Sequence, residues 1–141
     1  MRRSDRGLTF VTVLLFAGAL SAVVLAITYG HAYWENLEVK RVLKEAANLS
    51  YREYDDGRIR EFIFKELHHL FDQKVEDHGR VITEMRIDVD DSDLRIERTQ
   101  IPQMMHIWLT YSRDVEVPVI HKQRRVTFNE YAEQDLSPVK W

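Results

Sequence analysis

The densest run of chemistry-bearing side chains is DVDDSD, where Asp88, Asp90, Asp91 and Asp93 place four carboxylates within six residues. Alternating carboxylates in a loop are how calcium sites are built. A calcium loop of the EF-hand type opening at Asp88 would need glycine at position 93 and glutamate at position 99, where this chain has Asp93 and Thr99. The segment therefore reads as a solvated hairpin turn between two strands. His68 and His69 are adjacent, so on a helix they point about 100° apart and do not converge on one metal. His68 and Asp72 share a helix face, but a third ligand is missing from the pattern. His106 and His121 belong to different strand regions. Ser50, Ser92, Ser112 and Ser137 lack a nucleophile-elbow setting, and the five glycines form neither a phosphate loop nor a dinucleotide fingerprint. The absence of cysteine removes disulfides, thiolate ligands and thiol nucleophiles. No catalytic residue, metal ligand or cofactor site is assigned, and a non-enzymatic role is expected.

The other spacing with physical consequences is apolar. Leu8 to Tyr29 contains no charged residue. As a helix, such a run is about 33 Å long, enough for a hydrocarbon core of roughly 30 Å. Within it Ala17, Gly18, Ser21, Ala22 and Ala26 make small-xxx-small pairs, a strip along which a second helix could approach closely and form a homo-oligomer. Three arginines fall in residues 2–6, while the whole chain carries 20 basic against 23 acidic side chains. The basic end is expected to stay in the cytoplasm, and Tyr29, Tyr33 and Trp34 to mark the far interface. An acidic outer part argues against nucleic-acid binding.

These groups must be positioned by the elements around them. Val39, Val42, Leu43, Ala46 and Leu49 continue the helical period beyond the lipid, and Gly30, at about 1 kcal/mol relative to Ala, is too weak a breaker to end the helix. Asp55 or Asp56 of YDDG caps a second helix from about Arg58 to Gln73, with Ile59, Phe62, Ile63, Leu67, Leu70 and Phe71 on one face. After His78 and Gly79 the period becomes two, through Met85–Val89, Leu94–Ile96, Met105–Tyr111, Val115–Val117 and Arg124–Tyr131. The expected fold is α+β: a transmembrane helix running on as a long amphipathic helix, a second helix, and one antiparallel sheet of about four strands. The expected division is a leader at 1–7, a span at 8–29, an amphipathic extension at 30–50, an extracytoplasmic α+β domain at 51–132 and a mobile tail at 133–141. Trp108 and Tyr111 are the candidate docking aromatics on the sheet.

The short basic leader ending in Gly7, followed by LTFVTVLLF, resembles the start of type IV pilins and of the pseudopilins of type II secretion. The resemblance implies cleavage by a prepilin peptidase between Gly7 and Leu8. Those families carry a glutamate at the fifth mature position, where it pairs with a neighbouring subunit's terminus. This chain has Thr12 there, which argues against a major filament subunit and leaves a minor, tip-located one. A longer resemblance, through VKRVLKEAA, GRIREFIFKEL, IDVDDSDLRIER and YSRDVEVPVIHKQRRVTF, is to an uncharacterised family of small single-pass bacterial envelope proteins with a pilin-like anchor. It implies a protein of the bacterial inner membrane whose outer domain is periplasmic and whose partners are other envelope or pilin-like subunits. A contrasting expectation is a secreted enzyme or ligand binder whose apolar run is a signal peptide cleaved after Ala32.

Overall fold

A computed structural model describes residues 5–118 and 120–138, with side chains from residue 9 onward. Helix α1 runs unbroken from Asp5 to Leu49. Its two halves have different surroundings. Residues 9–22 are exposed throughout, whereas Thr28, Ala32, Glu35, Asn36, Val39, Val42, Leu43, Ala46 and Ala47 are buried at the three- and four-residue spacing of one helix face. The second half is thus the spine of a folded domain, and the first half is long and apolar enough to cross a membrane. Gly30 stays helical, and open space surrounds the position where a Cβ would stand.

Helix α2 spans Asp56–Phe71, starting two residues before the expected boundary because Asp55 is the N-cap, its Oδ1 accepting from the Gly57 N–H at 2.8 Å. Ile59, Ile63, Leu67 and Phe71, four apart, are each at most 1% exposed. Burial of this order contributes roughly 1.5–3 kcal/mol per side chain. Phe62, Phe64 and Leu70 pack around the same core. Arg98 fastens the α1–α2 turn to the sheet, donating from Nε to Asp56 at 2.6 Å and from Nη2 to the Glu53 carbonyl at 2.9 Å.

Among the described residues five strands follow, in two sheets rather than one sheet of about four. Strands β1 (Asp72–Asp77) and β2 (Arg80–Met85) form an antiparallel ribbon whose turn residues, His78 and Gly79, have φ of 48° and 77°, the positive pair of a type I′ hairpin. The first strand escapes the sequence pattern because DQKVED offers almost no apolar alternation, and only Val75 is half-buried. Strands β3 (Leu94–Gln100), β4 (Gln103–Val117) and β5 (Lys122–Asp135) form an antiparallel meander with β4 in the middle. Its core face carries Leu94, Met105, Ile107, Leu109, Tyr111, Phe128 and Ala132, against α1 and α2.

Two expectations need correction. Asp88–Asp93 is not a hairpin turn. Asp88 exchanges backbone hydrogen bonds with Ser112 of β4, at 2.7 and 2.9 Å, and β3 then pairs with the same strand from Leu94↔Leu109. The acidic segment is an excursion from one interrupted edge strand, folded into a short 3₁₀ turn at Asp91–Asp93. The expected tail is also ordered at its start. Strand β5 runs to Asp135, the Leu136 N–H donates to the Gln103 carbonyl at 2.9 Å, and the Ser137 carbonyl accepts from the Tyr51 hydroxyl at 2.8 Å. The partner strand, not local apolar content, decides where β5 stops.

Candidate functional site

The sheet register sorts its side chains into rows. On the core face, α1 passes antiparallel to β4, so that Glu35 meets Arg113, Asn36 meets Tyr111 and Lys40 meets Glu130. The Glu35 carboxylate, 11% exposed, binds Arg86 Nη1 and His31 Nε2 at 3.0 Å each and pairs with Arg113. Desolvation lowers the Arg113 pKa from its ordinary value, and Glu35 is the charge that keeps that guanidinium acceptable in a half-dry position. One step along, the Asn36 amide uses both ends: its Oδ1 accepts from the Tyr111 hydroxyl at 2.7 Å, and its Nδ2 donates to Glu130 at 2.9 Å. Glu130 is also 3.5 Å from Lys40 Nζ. These polar groups join the helical spine to the sheet.

Burial, with a smaller contribution from Glu130, raises the Tyr111 phenol above its ordinary value of 10.0. A pKa raised on folding stabilises the fold fully below the unfolded value of about 10 and loses that contribution as pH rises through the folded value. One of the six tyrosines is therefore expected to resist ionisation until the domain opens, read as delayed tyrosinate absorbance. Tyr111→Phe should lower stability at neutral pH by about 1–2 kcal/mol and make its decline above pH 10 shallower.

The outer face of the sheet has a different composition. Arg95, Trp108 and Tyr131 lie directly opposite one another on β3, β4 and β5, and Glu97, His106 and Glu133 form the next row. The Arg95 guanidinium sits over the Trp108 ring at 5.0 Å, and the Trp108 and Tyr131 rings are 5.4 Å apart. His106 stacks against both. Tyr131 donates to Glu133 at 2.6 Å, a bond that raises its phenol pKa, so His106 Nδ1 is the donor to the Tyr131 oxygen, also at 2.6 Å. The result is a planar, amphipathic patch with charge at its edges, of the composition that docking surfaces use.

Trp108 belongs to this patch, but Tyr111 does not. Three residues apart on a strand, they point to opposite faces, and Tyr111 is 2% exposed in the core. His106 and Tyr131 take its place, His106 by the two-residue alternation along β4 and Tyr131 by a cross-strand register that sequence periodicity does not reveal. The small residues Ala17, Gly18, Ser21, Ala22 and Ala26 lie on the exposed half of α1. A Cβ at Gly18 would meet nothing within 4 Å, and the Ser21 hydroxyl is satisfied by the Ala17 carbonyl at 2.8 Å. Gly7 and Leu8 fall in the first turns of α1, and their side chains lie outside the described residues, as do residues 1–4 of the expected leader at 1–7.

The histidines and carboxylates singled out by type are dispersed. His68 pairs with Asp72 at 3.0 Å, and His121 with Glu116 at 3.1 Å. His106 and His121 are far apart along the β4–β5 hairpin, since His106 faces Glu133 near one end while His121 is in the turn at the other. Asp88 binds Arg125 at 3.2 Å, Asp91 binds Arg60 at 3.0 Å, and Asp93 accepts from the Asp90 N–H at 2.8 Å. These carboxylates secure the excursion to β5, to α2 and to itself. Among the described residues no three such groups converge in a metal-binding arrangement. Comparison of the chain with protein families, with characterised proteins and with solved structures gave no match.

Proposed function

We propose that this protein is a non-enzymatic, single-pass envelope protein, pilin-like in plan, that works through protein–protein contacts. In this reading it is held in a bacterial inner membrane with its N-terminus cytoplasmic and its domain outside. The observation that carries the reading is that one helix is both anchor and spine. The uncovered stretch ends where the packed stretch begins, at Thr28, and no linker separates them. A rigid connection of this kind transmits position from the membrane to the sheet, as a subunit in an assembly requires. Cleavage after Ala32 would cut within the packed stretch of α1, since Ala32 is 3% exposed and Glu35 follows it in the polar cluster. That weighs against a secretory signal peptide and a released enzyme.

Two surfaces serve partners in this proposal. The small-residue strip takes another transmembrane helix, and the Arg95–Trp108–Tyr131 face takes an envelope or pilin-like subunit. The N-terminal sequence of the protein from its native membrane tests the anchor. Met1 supports a permanent anchor, Leu8 supports processing as a minor pilin or pseudopilin, and Tyr33 would overturn both. Photo-crosslinking from position 108 is expected to yield adducts with envelope proteins that are lost in Tyr131→Ala. Gly18→Leu is expected to weaken self-association in the bilayer by about tenfold, or about 1.4 kcal/mol. Unchanged self-association would exclude the strip as a helix contact.

A further inference from the structure

Strands β4 and β5 continue past the end of β3 as a two-stranded hairpin whose last pair is Val117↔Lys122. Because α1 runs antiparallel to β4, this hairpin points back toward the apolar half of the helix. A cleft of about 390 Å³ is lined by Ile27, Thr28 and His31 of α1 together with Val115, Pro118 and His121 of the hairpin. The tip is therefore level with Ile27, inside the uncharged run that ends at Tyr29 and about 3 Å below that residue along the helix axis. Tyr33 and Trp34, 59% and 68% exposed, stand just above, where interfacial aromatics are placed in membrane helices.

We propose that the tip of the β4–β5 hairpin is a second membrane contact, in which Pro118 and Ile120 enter the interface of the bilayer that α1 crosses and Lys122 and Arg124 pair with anionic phospholipid headgroups. The proposal rests on the reading that α1 spans a membrane. Ile120 is 63% exposed at the tip of a turn. A soluble surface gives that side chain no cover, and a bilayer at the level of Ile27 does. The charges agree in sign. Lys122 and Arg124 are exposed and, among the described residues, make no ion pair, whereas Arg125 is occupied by Asp114 and Asp88. The carboxylates beside the tip in the same cleft, Glu116 and Asp114, are paired with His121 at 3.1 Å and Arg125 at 3.2 Å, which reduces their repulsion from an anionic surface. Two contacts on one rigid body would fix the tilt of the domain, which a single helix leaves free to rotate. The outer sheet face would then be presented in one orientation.

The absence of cysteine permits a direct test with the full chain. Phe16→Cys, Ile120→Cys and Ile101→Cys are each labelled with an environment-sensitive fluorophore. The proteins are reconstituted in phosphatidylcholine vesicles with or without phosphatidylglycerol, and spin-labelled lipids serve as quenchers. Ile101, 95% exposed in the β3–β4 turn at the opposite end of the sheet, is the distal reference. Quenching is expected at positions 16 and 120 and not at 101. Phosphatidylglycerol should raise the ratio of inserted to free tip by about fivefold per cation, and Lys122→Glu with Arg124→Glu should abolish that increase. Quenching at 16 with none at 120 would overturn the tip contact and leave the anchor standing. No quenching at 16 would overturn the spanning reading and the tip contact together. Quenching at 120 that is indifferent to phosphatidylglycerol would remove the headgroup pairing from the proposal.

Discussion

Glu35→Ala is expected to destabilise the domain by about 3–5 kcal/mol, the range for removing one partner of a buried ion pair. The effect does not come mainly from a lost attraction. With Glu35 gone, Arg113, whose side chain is 16% exposed, keeps its desolvation cost without a counter-charge, and Arg86 loses the same acceptor. Chemical unfolding of the detergent-solubilised protein measures this directly. Glu35→Leu combined with Arg113→Met should recover much of the loss, because an apolar pair of similar volume removes both charges from the buried position. Arg86, 31% exposed, can still reach water in that double variant. A cost for Glu35→Ala below about 1 kcal/mol, the range of exposed pairs, would show that the cluster is solvated in solution.

The second large effect concerns where the chain can be cut. A protein beginning at Thr28 is expected to fold, remain soluble and unfold cooperatively at nearly the temperature of the full chain. Little packing is lost with the described residues that are removed: those from Thr9 to Ala22 are exposed throughout, Val24 is half-buried, Ile27 lines the cleft beside the hairpin tip, and burial begins at Thr28. A protein beginning at Leu37 is expected not to fold. It lacks Ala32, Glu35 and Asn36, so two arginines lose their carboxylate and Tyr111 loses its acceptor. The charge penalty of about 3–5 kcal/mol and the unsatisfied hydroxyl at about 1–3 kcal/mol together reach the lower part of the 5–15 kcal/mol that holds a typical domain together. Circular dichroism melts of the two fragments distinguish the outcomes. Equal stability of both would mean that the spine begins later than Asn36.

Much of this architecture was legible in the residues because it depends on local periodicity. The apolar run, its continuation through Val39–Ala46, the capped α2 with its four-residue stripe and the alternation in β3 to β5 are all properties of neighbouring positions. The missed elements lack such a signal. Strand β1 is too polar to alternate visibly, and Asp88–Asp93 has turn chemistry whether it joins two strands or loops out from one. For the polar cluster there was a usable sign. Glu35 and Asn36 lie on the same helical stripe as Val39, Val42 and Leu43, and a carboxylate on a buried stripe requires a buried cation. The sequence does not say which arginine supplies it.

The docking aromatics show the same division. A sequence can place Trp108 and Tyr111 on one strand, and strict alternation already separates their faces by odd spacing. The same alternation puts His106 beside Trp108, but only the pairing of β4 with β5 decides that Tyr131 joins them, and only the path of α1 decides that Tyr111 is buried against Asn36. By itself the sequence determined the long helix, its apolar half, the second helix and the β character of the remainder, because helix and strand periods, caps and chain stiffness act over a few residues. Tertiary structure alone decided the split into two sheets, the Glu35 cluster, the outer aromatic row and the placement of the hairpin tip beside Ile27. Those depend on contacts between residues as much as 94 positions apart, as between Asn36 and Glu130, and such contacts are selected by the packing of the whole chain.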